Sequence, residues 1–418
     1  MHPRSFCAGA ADFVRRGELN MPQDIESPLR ILHLNSMLTG GGTDNQCARL
    51  AQSLIALGQQ VWVAGPPGRE FSEVLKRLGV PLAETPVHEG PAKLKFILAA
   101  AQFIWREKIQ VVHGHHGRDI WPTILAARLS LRRPKVVLTR HLAKSPSSAF
   151  SRGFLLGQCD ALIAVSESVA QILKSGAYEP DSRELERRSR PPLRGDHTKI
   201  HVIYGGMDVE RFRPMDAEDQ RRAWGLEPRH YVFAVAGGYD LPRGKGQVEF
   251  LVAAARIHEK IPNARFLIIG RGNMEGILRE TIEELGLRGK ALLTPYCHDM
   301  PKAMNAIDCL VHPQVGTEAF GLVLCEAFAC GRPVIASALD GIPEAFHVGK
   351  YGRLVKPDSV EELAGAMLEW ATHPLLSAQE CQALHERVKR EFSWQASAQR
   401  VLELYRSLIF PAKIPSRC

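Results

Sequence analysis

The sequence predicts an α/β protein made of two Rossmann-like, doubly wound domains that face each other across a cleft. Three observations point to this fold class. The chain has 418 residues, more than one hydrophobic core usually serves. Short apolar runs alternate with helical stretches in two successive series, the pattern of parallel sheets wrapped by helices. The second series contains a strand–loop–helix–strand unit over residues 309–337, the kind of unit that presents a helix N-terminus to an anion.

Composition sets the bounds. With 45% hydrophobic and 23% charged residues, the chain reads as an ordinary globular protein. A net charge of +8 suggests an anionic partner, and by itself does not choose among a nucleotide, an anionic membrane surface and nucleic acid. Nine cysteines, an odd number without paired spacing, read as reduced thiols and point to the cytoplasm. The longest apolar run, residues 96–105, is about half of what a bilayer needs. Residues 1–27 carry a short apolar stretch followed by Asp12, Arg15 and Arg16, so they read as a disordered tail and not a signal peptide, with Met21 a candidate alternative start.

From residue 28 the elements follow in order. Residues 31–34 form a strand and Gly40-Gly41-Gly42 a loop fit for close approach of a phosphate or backbone, although the triplet is short of a dinucleotide fingerprint and a tight turn explains it equally. Residues 44–57 form a helix, 61–63 a strand, 71–78 and 93–105 helices, and 111–113, 136–139 and 161–165 further strands. His113-Gly114-His115-His116 ends one strand; without Cys, Asp or Glu at ligand spacing it reads as cleft lining before metal site, and no metal is expected. His141 ends the next strand. Residues 176–198, rich in Arg and Pro, read as an exposed loop, and a solvated insertion without function is the plainer reading. Residues 205–214 read as the hinge between domains.

The second series runs through strands at 231–236, 265–269 and 292–293 and helices at 247–258 and 276–285. Lys245 lies between Gly244 and Gly246 at a strand-to-helix junction, well placed as a point charge for a pyrophosphate, and Gly270-Arg271-Gly272 follows another strand. The 309–311 strand stops at Pro313, and residues 320–330 read as a helix closed by Gly331. Its first free amides, at about Phe320, Gly321 and Leu322, face an anion. Glu318 precedes the helix and Glu326 lies about two turns in, roughly 10 Å further along the axis. A ligand touching both carboxylates must be long, as a nucleotide sugar is. A lone Glu is ordinarily solvated, but Glu326 stands among Leu324, Cys325, Ala327 and Phe328.

Glu318 to Glu326, with residues 327–336 after them, resembles the E-x7-E signature of the retaining, family-four glycosyltransferases of GT-B fold. Ala319 departs from it, since the family usually has glycine there. Residues 205–208 resemble the family's N-G-x-D turn with Gly205 in the Asn position, and Lys245-Gly246 its K-G; the arginine that usually stands five residues earlier is Asp240 here, and Arg243 is the nearest cation. The resemblance implies that Gly41 and Gly42 lie near the diphosphate and acceptor, that His141 contacts the transferred sugar, and that Gly270 and Gly272 border the base. It implies an acceptor-side domain over 28–210, a nucleotide-sugar-binding domain over 211–392 and a final helix, 393–418, crossing back to the first.

The expected activity is transfer of a sugar from a nucleotide donor to a saccharide or lipid-linked acceptor hydroxyl, as in cell-envelope glycan synthesis, with retained configuration. Lys245, Arg243 and helix amides would stabilise the leaving diphosphate in place of a metal, and no Asp-x-Asp motif occurs. Glu318, Lys245, Arg243 and His141 are the expected catalytic residues. No cofactor is expected beyond the donor, nucleic acid is not an expected partner, and peripheral contact with an anionic membrane at its inner face stays open. An epimerase or phosphorylase on the same fold and a degenerate binding subunit are the alternatives.

Overall fold

The first sheet is built from runs that the chain hides from water on both faces, as parallel strands require. These are β1 (Arg30–Leu34), β2 (Gln60–Gly65), β3 (Leu82–Glu84), β4 (Val111–Gly114), β5 (Lys135–Arg140) and β6 (Ala161–Ala164). A small hairpin, β7 (Ala177–Glu179) with β8 (Arg188–Arg190), precedes the last member, β9 (Ile200–Val202). The order is β3-β2-β1-β4-β5-β6-β9, parallel throughout. This computed structural model describes residues 27–86, 92–179, 188–241, 244–295, 297–346 and 351–411. The expected tail therefore lies outside the described residues except for Ser27, and so does Arg243.

The second sheet holds β10 (Tyr231–Ala236), β11 (Ala264–Ile269), β12 (Ala291–Leu293), β13 (Cys309–His312), β14 (Val334–Ser337) and β15 (Gly352–Val355). Its order is β12-β11-β10-β13-β14-β15, again parallel. The direction of the strand order reverses between β10 and β13, and a crevice opens at the carboxyl ends of strands at such a point. Two Rossmann-like α/β domains are thus present, as the alternation predicts.

Two crossings join the domains and meet. Met207 donates its N–H to Phe392 O at 2.8 Å, and Trp394 donates to Met207 O at 3.2 Å. A side chain at Gly206 would meet Trp394 at 2.5 Å, so only glycine fits. Beyond this point the helix Trp394–Ile409 lies on the first domain, where Ala398, Val401, Leu402 and Tyr405 share a core with Leu29, Ile31, Ala48 and Val61.

Three expectations are corrected. Residues 176–198 are not a plain loop, because β7 and β8 pair antiparallel within them. Strand formation there depends on the partner strand, which Arg and Pro content does not reveal. Helices Ile120–Leu129, Ala149–Gln158 and Glu167–Ser175 escape the reading of the sequence. Ile120–Leu129 is apolar almost all round and so lacks helical periodicity, whereas the other two are announced by serine caps at Ser148 and Ser166, and Glu167–Ser175 also by the helical spacing of Val169, Ala170 and Leu173. Finally, the helix expected from Phe320 begins at Leu322, with Gly321 as its N-cap.

Candidate functional site

A cavity of about 760 Å³ occupies the crevice between β10 and β13. Gly237, Gly238 and Asp240 enter from the end of β10, Gly270, Arg271 and Gly272 from β11, and His312 from β13. Gly321, Leu322, Val323 and Glu326 come from the start and second turn of the helix Leu322–Ala329, with Glu318 from the loop before it. The expected residues Lys245, Glu318, Glu326, Gly270, Gly272, Gly321 and Leu322 therefore share one wall.

The loops meet so closely that glycine is imposed. At Gly246, with φ 84°, an added Cβ would stand 2.1 Å from Pro313 O; this puts the Lys245 loop directly against the turn that follows β13. Gly321 caps its helix with φ 89°, a left-handed backbone that leaves the first amides turned to the cavity.

Across the crevice Lys245 Nζ donates to Glu318 Oε2 at 2.7 Å. Burial pushes the Glu318 carboxyl up, but the His312 ring and the Lys245 ammonium outweigh burial and hold it at about 2. Of the two, only Lys245 is within hydrogen-bond reach, since His312 Nε2 lies 3.7 Å away. The Glu318 N–H donates to Asp340 Oδ2 at 3.1 Å, which fixes the loop. Glu326 is the opposite case. Burial raises its carboxyl to about 7, only partly offset by the charge of Arg211.

Other expected residues lie elsewhere. The Phe320 side chain is buried, stacks on Tyr204 at 5.0 Å and meets Phe392 edge-on at 5.2 Å, so it is a packing residue near the domain crossing and not part of the cavity wall. Gly41 and Gly42 are exposed at the start of the helix Gly42–Ala56, and a Cβ at either would meet nothing within 4 Å. Asp44 organises that loop: its Oδ2 accepts from Thr39 and Gly40 N–H at 2.7 and 2.8 Å and its Oδ1 lies 2.7 Å from His116 Nε2. Burial opposes ionisation of Asp44, yet the His116 contact and the loop donors hold its carboxyl at about 2.

His141 lines a separate cavity of about 30 Å³ with His115, Thr139 and Gln46. Its Nε2 is buried and has no hydrogen-bond partner among the described residues, and burial lowers the ring to about 3. His113 is structural, joined to Tyr405 at 2.5 Å and Thr139 at 2.7 Å. His115 Nε2 meets His33 Nδ1 at 2.7 Å, and both rings are kept neutral by burial. Cys47 brings its sulfur into the same group, with donor atoms of His33, Cys47 and His115 within 4.8 Å of one another. Spacing along the chain hides this trio. His33 Nδ1 and His115 Nε2 pair with each other, whereas His33 Nε2 and His115 Nδ1 are buried without a partner among the described residues, and burial keeps the Cys47 thiol protonated, which disfavours a thiolate ligand.

Comparison with known proteins bears on this geometry. The family model described as Glycosyltransferase Family 4 matches residues 40–211, and that described as Glycosyl transferases group 1 matches residues 216–391. The D-inositol 3-phosphate glycosyltransferase of Mycobacterium marinum is 32% identical over 227 residues, 52% of this chain and 47% of that protein. The chain thus spans about half the length of the inositol phosphate relatives it matches. The phosphatidyl-myo-inositol mannosyltransferase of Mycolicibacterium smegmatis is 27% identical over 383 residues, 88% of this chain and 90% of that protein. Among solved structures, a glycosyltransferase from Rickettsia africae superposes with a TM-score of 0.75 at 20% identity, covering 92% of this chain and all of that one. Anabaena Alr3699/HepE in complex with UDP gives 0.73 at 19% identity, covering 91% of this chain and 100% of its own. At these identities the structural likeness is one of fold.

Proposed function

Because the chain belongs to the family-four, group 1 glycosyltransferases of GT-B fold, we propose that it transfers a sugar from a nucleotide-sugar donor to a hydroxyl of a lipid-linked or saccharide acceptor, with retention of configuration. The observation that supports this reading most is the shared wall: Lys245, Glu318, Glu326 and the Leu322 helix start line one cavity at the switch point of a doubly wound sheet. Glu326 binds the ribose hydroxyls, the amides of Leu322 and Val323 and the Lys245 ammonium meet the diphosphate, and Glu318 takes sugar hydroxyls. Gly270 and Gly272 border the base. His141 and the Gly41-Gly42 loop serve from the first domain, on the sugar and acceptor side.

Charge develops on the leaving diphosphate, so groups already aimed at it accelerate transfer most. Lys245 then has to exchange its Glu318 contact for phosphate, or share it. Asp240 lines the cavity where the family usually carries arginine; Arg271 lines it too and supports a cation in that role from β11, with Arg243 the nearest cation in sequence. Relatives include a GDP-mannose-dependent mannosyltransferase of Corynebacterium glutamicum and a structure containing UDP, so both nucleotides belong in the test. A panel of UDP-, GDP- and ADP-sugars should yield one donor that raises stability by about 2.7 kcal/mol at a hundred times its dissociation constant. Transfer of that donor's sugar should continue in EDTA and give a product of unchanged anomeric configuration by NMR. Activity lost on chelation and restored by Mg²⁺, or an inverted product, rejects the reading. Asp240 and Ala319 favour one competitor, a binding subunit without catalysis, which donor hydrolysis by the purified chain would exclude.

A further inference from the structure

Nine of the fifteen exposed large hydrophobic side chains among the described residues lie between residues 92 and 160. Isolated exposed leucines need no explanation, but these are grouped. Leu94, Leu98 and Trp105 fall on the outer face of the helix Ala92–Arg106, Leu125 and Leu129 on that of Ile120–Leu129, and Phe150 and Phe154 on Ala149–Gln158. The first two helices pack side by side, and the Arg132 guanidinium lies 5.9 Å over the Trp105 ring. Trp121 joins the second to the third through Phe150 at 4.7 Å and a hydrogen bond to Ser151 at 3.0 Å. Leu131, 84% exposed with φ 60°, projects from the turn after the middle helix.

The same stretch carries the chain's charge. It has twelve Lys and Arg against three acids, a larger excess than the +8 of the whole protein. The acids are spent: Glu107 pairs with Arg30, Asp160 with Lys135, and Asp119 is buried. Beside Leu129, a cavity of about 480 Å³ is lined by Arg128, Arg133 and Lys135, with Asp160 on the same wall holding Lys135 at 3.1 Å, so Arg128 and Arg133 supply its unbalanced charge. Apolar and aromatic side chains beside long cations match a bilayer interface, where the former enter the acyl boundary and the latter reach anionic headgroups.

We propose that these three helices form a docking face for an anionic lipid bilayer, with Arg128 and Arg133 at the rim of that cavity meeting a headgroup phosphate. Charge complementarity selects the lipid over a second copy of this chain, because two such faces would repel. Co-sedimentation with vesicles tests it. The full chain should pellet with phosphatidylglycerol-rich vesicles far more than with phosphatidylcholine vesicles, and less as salt rises. Leu98→Ser with Trp105→Ser, and separately Arg128→Gln with Arg133→Gln, should reduce partitioning, the latter about fivefold per neutralised cation. All four sites are exposed, and unchanged far-ultraviolet circular dichroism and melting temperature confirm folding. Equal partitioning to both vesicle types, or variants that bind like the parent, overturns the proposal. So does a dimer, seen by sedimentation velocity, that the same substitutions dissolve. Vesicle binding is read without transfer activity, so its failure leaves the proposed reaction standing.

Discussion

Lys245 and Glu318 touch at 2.7 Å although 73 residues separate them, and each controls the other. Lys245→Ala should lower kcat at saturating donor by roughly ten- to a hundredfold, the usual loss for a charge-assisted hydrogen bond. It should also release the Glu318 carboxyl upward from about 2, moving the acid limb of the pH–rate profile toward neutrality. A silent Lys245→Ala removes this loop from the donor site; a silent Arg243→Ala beside a crippled Lys245→Ala leaves the charge to Lys245 alone. Glu326 titrates in the other direction. Its folded-state value of about 7 exceeds its ordinary 4.5, so its protonated form is favoured by folding. That contribution to stability is complete below 4.5 and disappears as the pH rises through about 7. Glu326→Gln should therefore flatten the fall of Tm across this window and raise the donor KM more than it changes kcat; an identical slope in parent and variant refutes the assignment. Lys245, Glu318 and Glu326 are legible in the sequence because each stands at or just beyond a strand-to-helix junction marked by glycine. Phe320 is misread because an apolar run does not say which residue opens the first turn. His33 and Cys47 are missed because only the pairing of β1 with β4 and the packing of the helix Gly42–Ala56 bring them to His115.

At the scale of elements, one contact ties the domains. Glu344, on the short helix Ile342–Ala345 of the second domain, accepts from the N–H groups of Glu167 and Ser168 at 2.7 and 2.8 Å. These are the opening amides of the helix Glu167–Ser175 in the first domain, where a carboxylate also meets the positive end of the helix dipole. Ala319 adds a methyl against the first domain's core, so the position where the family usually has glycine is part of the same contact. Glu344→Ala removes a charged acceptor from two part-buried donors and should cost about 1.5–3 kcal/mol at most, with calorimetry resolving two transitions where the parent shows fewer. Unchanged melting would mean that solvent replaces the carboxylate at no cost. Neither contact is legible in the sequence, because what Glu344 caps depends on how two separately folded sheets meet.

Over the whole molecule, Gly206 and Trp394 mark where the two crossings of the chain meet. Gly206→Ala would push a methyl to 2.5 Å from the indole and 2.8 Å from the Trp394 backbone. An overpacked contact of this kind costs about 1–3 kcal/mol, measurable by urea unfolding, and the variant should also lose donor affinity if the halves no longer meet squarely. A stability equal to the parent's would show that the helix Trp394–Ile409 shifts freely. The bridge from Met207 to Ser393 has a mechanical meaning. Two bodies tied by separate straps can slide as well as swing, whereas here both straps are pinned side by side by backbone hydrogen bonds. Sliding would shear those bonds. Swinging strains them less, so any opening of the cleft would pivot about this bridge while breaking the Glu344 contact.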